Sequence, residues 1–135
     1  MAIQEDALGL CQPAIYRDIF LKYNADIVRH LGAHVLFHLH STGCRHYRQV
    51  LQIPGLAGLE ITVEANGPPL SELLSVFREI LEQTRLLLFA DHRQAELPDV
   101  LPHLPREGLF VAVPETFVRT EAEFNAFVRQ YWGRL

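Results

Sequence analysis

Hydrophobic and polar positions along the chain switch repeatedly between two periods. From Pro13 to Leu31 the apolar residues Ile15, Ile19, Tyr23, Ile27 and Leu31 recur every four positions, which predicts a helix with one apolar stripe. Pro13 suits its first position and Gly32 its left-handed stop. A strand is then predicted from about His34 to His40. Its alternate side chains share a face, so His34, Leu36, His38 and His40 point one way and Val35, Phe37 and Leu39 the other. Ser41-Thr42-Gly43 makes a turn in which either hydroxyl is a candidate cap for a helix to about Ile53. Ala57 to Glu64 alternates cleanly: Leu59, Ile61 and Val63 against Gly58, Glu60, Thr62 and Glu64. Leu70, Leu73, Leu74, Phe77, Ile80 and Leu81 carry the spacing of a helix. Leu86 to Ala90 is continuously apolar, as in a parallel strand covered on both faces. A short segment interrupted by Pro98 and Pro102 follows, then a fourth strand from Leu109 to Val113. Thr120-Glu-Ala-Glu123 is a capping box, opening a last helix whose buried face is Phe124, Phe127, Val128 and Tyr131.

A helix followed by four strand–helix units predicts an α/β fold with a parallel sheet. Four parallel βα units are half of a TIM (β/α)8 barrel, whose full form takes about 250 residues. A small open parallel α/β sheet is the alternative. At 135 residues the chain reads as a single domain, either natural or a fragment of a longer chain.

Charge and cysteine content narrow the setting. The net charge of −4 and a single lysine, Lys22, argue against a nucleic-acid partner, which needs clustered cations. No apolar run reaches the ~18 residues of a membrane span. The first residues lack the pattern of a secretory signal. Two cysteines, Cys11 and Cys44, make no disulfide framework, so a cytoplasmic setting with free thiols is expected.

Chemistry in parallel α/β folds gathers at the carboxyl ends of the strands. Those ends carry His38 and His40, then Glu64, then Asp91 and His92, then Glu115. His40, Glu64, Asp91, His92 and Glu115 are therefore the catalytic candidates. Glu60, Thr62, Ser41 and Thr42 are substrate-binding candidates, because they lie on the same strand face or at the adjoining turn. His38 and His40 form an H-x-H pair able to converge on one metal ion such as zinc. A metal-dependent hydrolase would use His38, His40 and His92 as ligands, with Glu64 or Asp91 activating water. Phosphate-binding loops and nucleophile elbows are absent from the sequence.

Three stretches add a resemblance. Gln4-Glu-Asp-Ala-Leu-Gly-Leu, Gln12-Pro-Ala-Ile-Tyr-Arg-Asp-Ile-Phe and Val35-Leu-Phe-His-Leu-His-Ser-Thr-Gly43 resemble the C-terminal half of the uroporphyrinogen decarboxylase superfamily, which includes zinc- and cobalamin-dependent methyltransferases. Gly67-Pro-Pro-Leu-Ser-Glu-Leu-Leu, Leu86-Leu-Leu-Phe and Gly108-Leu-Phe-Val extend it over nearly the whole chain. The resemblance implies the last four strands of a (β/α)8 barrel and a lyase or methyltransferase acting on a carboxylated or methylated small molecule. His40 falls on the family's histidine. The family's neighbouring cysteine falls on Thr42, Cys44 is displaced by two positions, and no cysteine follows Val113. The thiolate zinc site is thus not intact. A half-barrel leaves open strand edges, so a homo-oligomer or a partner supplying an N-terminal half-barrel is expected, and a non-catalytic half-barrel is a further reading.

Overall fold

The computed structural model describes residues 1–32, 34–90, 92–112 and 119–132. Five strands form one parallel sheet, β1 (Ala2–Gln4), β2 (Leu36–His40), β3 (Gly58–Thr62), β4 (Arg85–Phe89) and β5 (Leu109–Ala112), in the order β1-β2-β3-β4-β5. The parallel α/β expectation holds. Four strands were expected and five are present among the described residues: β1 is too short to show a period in the sequence, and pairs Ala2 with Leu36 and Gln4 with His38.

The register makes the alternation three-dimensional. Phe37, Leu59, Leu86 and Leu109 stand in one row, and Leu39, Ile61, Leu88 and Val111 in another, all on the same face. That face meets the helices. Val28, Val50, Phe77, Ile80, Leu97 and Leu101 join Phe37, Leu39, Leu59, Ile61, Leu86 and Leu88 in one buried cluster. Burial of a large aliphatic or aromatic side chain contributes roughly 1.5–3 kcal/mol, so this face carries most of the stability. No residue of the opposite face, among them Leu36, Leu87, Phe89 and Phe110, belongs to the cluster. Among the described residues the α-helices therefore pack on one side of the sheet. Strand order follows chain order, without the reversal that marks a doubly wound sheet.

The first helix departs from its expected register. It runs through α1 (Pro13–Ile15), a π turn (Tyr16–Phe20) and α2 (Leu21–Leu31), ending at Gly32 with φ 77°. A strict four-residue spacing drifts around a helix of 3.6 residues per turn, and a π turn widens the period further. Tyr16, Asn24 and Val28 consequently face the interior, and the Asn24 amide donates to Tyr16 Oη at 3.1 Å. Ile15, Ile19, Tyr23, Ile27 and Leu31, the expected buried stripe, are 43–55% exposed.

After β2 the chain turns through a 3₁₀ stretch (Ser41–His46) into one α turn, α3 (Tyr47–Val50), in place of a full helix. Neither Ser41 nor Thr42 caps it; both hydroxyls are committed to Glu64. A 3₁₀ turn (Leu70–Leu73) leads into α4 (Leu74–Leu81), and α5 (Leu97–Val100) is flanked by 3₁₀ turns. The capping box of α6 (Glu121–Trp132) forms as expected: the Thr120 amide donates to Glu123 at 3.1 Å and the Glu123 amide to Thr120 Oγ1 at 3.2 Å.

Candidate functional site

The helix-free face is polar on one side and apolar on the other. His38 and Glu60 are register partners, as are His40 and Thr62; farther along the same rows stand Leu87 and Phe110, then Phe89 and Ala112. Strand pairing thus places the sequence-derived His38, His40, Glu60 and Thr62 together.

His38 is buried, and its Nδ1 lies 2.8 Å from Glu60 Oε1. An ionised carboxylate only accepts, so His38 donates from Nδ1 to Glu60, and Nε2 is the ring nitrogen left facing Asp6. His40 Nδ1 lies 3.0 Å from Glu64 Oε1 but off the axis of a good hydrogen bond, so this contact is an electrostatic pairing. Both rings turn Nε2 toward Asp6: Oδ1 is 3.9 Å from His38 Nε2 and 3.3 Å from His40 Nε2. The imidazoles meet edge to face with centroids 4.8 Å apart.

Glu64 lies two residues beyond β3. Its carboxylate accepts from Ser41 Oγ at 2.5 Å, Thr42 N at 3.3 Å and Thr42 Oγ1 at 3.2 Å. Burial would raise its pKa, but these three bonds and the neighbouring His40 outweigh it, and the group stays below its usual range. Ser41 and Thr42 therefore hold Glu64 in place. Arg93 secures the same loop by donating to the carbonyls of Ala65 at 3.0 Å and Gly67 at 2.6 Å. His92 is exposed on the turn after β4 and does not enter the group of converging ligand atoms found among the described residues. Asp91 and Glu115 lie outside the described residues.

Asp6 was missed in the sequence because the strand before it was missed. It sits on a 3₁₀ turn (Asp6–Leu10) that two residues from the β2 turn tie down. Arg45 donates to Gly9 O at 2.6 Å and Cys11 O at 3.1 Å, and His46 Nε2 to Leu8 O and Cys11 O, both at 2.9 Å. Burial pushes His46 below its usual pKa despite those carbonyls, so it acts as a neutral donor. Leu8 is buried beneath the turn and completes the anchor.

The thiolate zinc site implied by the resemblance does not fit. Thr42 offers a hydroxyl already bonded to Glu64. Cys44 is buried in the core, and burial, reinforced by the Glu64 charge, pushes its thiol up to about 12. It is a protonated, packed side chain. What the site offers instead is two oriented imidazoles facing a carboxylate.

Among the described residues no helix is long and apolar enough to cross a membrane. No protein-family model matches the sequence, and comparison with curated proteins and with solved structures finds no significant match.

Proposed function

We propose that the chain is a half-barrel of the uroporphyrinogen decarboxylase/methyltransferase type that acts, as a dimer, on a carboxylated small molecule. The observation that carries this reading is the pair of histidines on β2, each backed by a glutamate from the β3 segment, with both Nε2 atoms presented on the one sheet face no helix covers. Strand order that follows chain order, with all helices on one side, is the arrangement of a barrel segment. A substrate would lay its apolar body over Leu87 and Phe89 and bring its reacting carboxylate to the histidines. The exposed stripe of the first helix, Ile15, Ile19, Tyr23, Ile27 and Leu31, calls for cover. The five stripe residues are each 43–55% exposed, an apolar strip along one helix face. An exposed apolar strip of this kind marks an association surface, and the reading takes a second copy of this chain as its occupant.

Thermal shift with a panel of aliphatic and aromatic carboxylates tests the site, with His38→Gln and His40→Gln as controls. Stabilisation of the wild type by a carboxylate, lost in both variants, is expected. A panel without effect, or an effect that survives both substitutions, overturns the reading. Sedimentation equilibrium tests the assembly: a dimer that Ile19→Glu with Ile27→Glu converts to monomer is expected, and a wild-type monomer refutes it.

A further inference from the structure

We infer that Asp6, His38 and His40 form a binding site for a divalent transition-metal ion. The inference deepens the reading above, since the ion would be the group that meets a substrate carboxylate. It stands on the arrangement of three ligand atoms and on what lies behind them.

Three potential ligand groups converge: Asp6 Oδ1 lies 3.9 Å from His38 Nε2 and 3.3 Å from His40 Nε2, and one ligand atom from each of the three residues lies within 4.8 Å of the others. Two ligands each about 2.1 Å from an ion, at a tetrahedral angle, stand about 3.4 Å apart. The observed separations of 3.3 and 3.9 Å from Asp6 bracket that value, and the two histidine ligand atoms lie within 4.8 Å of each other. Asp6 is exposed and free to adjust, and the more exposed His40 ring is the one that would shift toward the buried His38.

The groups behind the ligands are those a metal centre uses. A ligating imidazole commonly donates its other N–H to a carboxylate, which fixes the tautomer and raises ligand basicity. Glu60 fills that role for His38 at 2.8 Å, while Glu64, 3.0 Å from His40 Nδ1 but off the hydrogen-bond axis, supplies a neighbouring negative charge. Charge points the same way. Asp6, Glu60 and Glu64 surround two imidazoles, and among the described residues no lysine or arginine pairs with any of them. Two nitrogens and one carboxylate suit Zn²⁺, Fe²⁺ or Mn²⁺ and leave positions open for water or a bidentate carboxylate.

The test is titration of the full chain, stripped with chelator, with Zn²⁺ and with Co²⁺, followed by calorimetry and by visible absorption of bound Co²⁺. One ion per chain is expected, with micromolar or tighter affinity and a Co²⁺ spectrum of low-symmetry nitrogen and oxygen ligation. D6N should weaken binding at least 100-fold while leaving the fold intact, because Asp6 is a surface side chain. E60Q should weaken it about 10-fold by removing the carboxylate charge behind the His38 ring, and E60A up to about 100-fold by also freeing the ring. H92A should bind as the wild type does. Absence of binding below millimolar concentration, unchanged affinity in D6N, or loss of the ion in H92A each overturns the site. The titration contains no substrate. A chain that binds metal and ignores carboxylates therefore sinks only the proposed function, and one that binds carboxylates without metal sinks only this inference.

Discussion

Glu64→Ala tests the tip of the β2–β3 pair. The Glu64 carboxylate takes the Ser41 hydroxyl, the Thr42 amide and the Thr42 hydroxyl, and Ser41 is itself buried. A hydrogen bond to a charged acceptor contributes about 1.5–3 kcal/mol where water is excluded. Only the Ser41 bond meets that condition, since Thr42 is exposed and water replaces Glu64 there. The expected loss is therefore about 2 kcal/mol, with Glu64→Gln losing roughly half because one carbonyl oxygen still accepts. Taking a urea slope of about 2 kcal/mol/M for a chain of this size, the midpoint of Glu64→Ala falls by about 1 M. The dependence on pH follows from the lowered pKa. The folded value lies below the unfolded one, so this stabilisation is fully present above the usual carboxylate pKa of about 4.3 and is lost as pH falls through the folded value. The gap between wild type and Glu64→Gln should narrow below about pH 4. An Ala variant with the wild-type midpoint, or a gap constant from pH 7 to pH 3, refutes this account.

Two further outcomes concern neighbouring residues. A Cβ at Gly67 would overlap Ser41 Oγ and displace the hydroxyl from Glu64. Gly67→Ala should therefore lower the urea midpoint, and adding Ser41→Gly should restore part of it; additive losses in the double variant would show that the clash is not the cause. Cys44, with its thiol near 12 and its side chain in the core, should resist alkylation at pH 8 in the native protein while the partly exposed Cys11 reacts. Mass spectrometry of the labelled peptides reads this directly, and native labelling of Cys44 contradicts its placement.

The alternation of β2 and β3 was legible because one face of each strand is packed on helices and the other is not. Val35, Phe37 and Leu39 had to be inside together, which put His38 and His40 on one opposite face before any strand order was known. Three things were not legible, for physical reasons. A three-residue strand such as β1 has no period to read, so Asp6 could not be placed. The π turn at Tyr16–Phe20 changes the helical phase without a sequence signal of its own, and it moved the expected stripe to the surface. Ser41 and Thr42 looked like helix caps because capping residues are polar and local, while the competing acceptor, Glu64, is 23 residues from Ser41 in the chain.

The His38–Glu60 pair bears on why the polar face exists at all. A desolvated ionisable pair contributes little net stability, and replacing both members with packed apolar residues is often neutral or stabilising by about 1–4 kcal/mol, whereas removing one member leaves the other unpaired and costs several kcal/mol. His38 and Glu60 flank Leu36 and Leu87 on a face that already carries aliphatic side chains. His38→Leu with Glu60→Leu should accordingly match or exceed the wild-type urea midpoint, while His38→Leu alone falls below it. The same double variant should lose the binding of Zn²⁺ and of carboxylates. Stability retained with binding lost places the pair in the service of a ligand. A double variant as destabilised as the single one would instead make the pair a structural bond of the sheet, and the free Nε2 of His38 a by-product of packing.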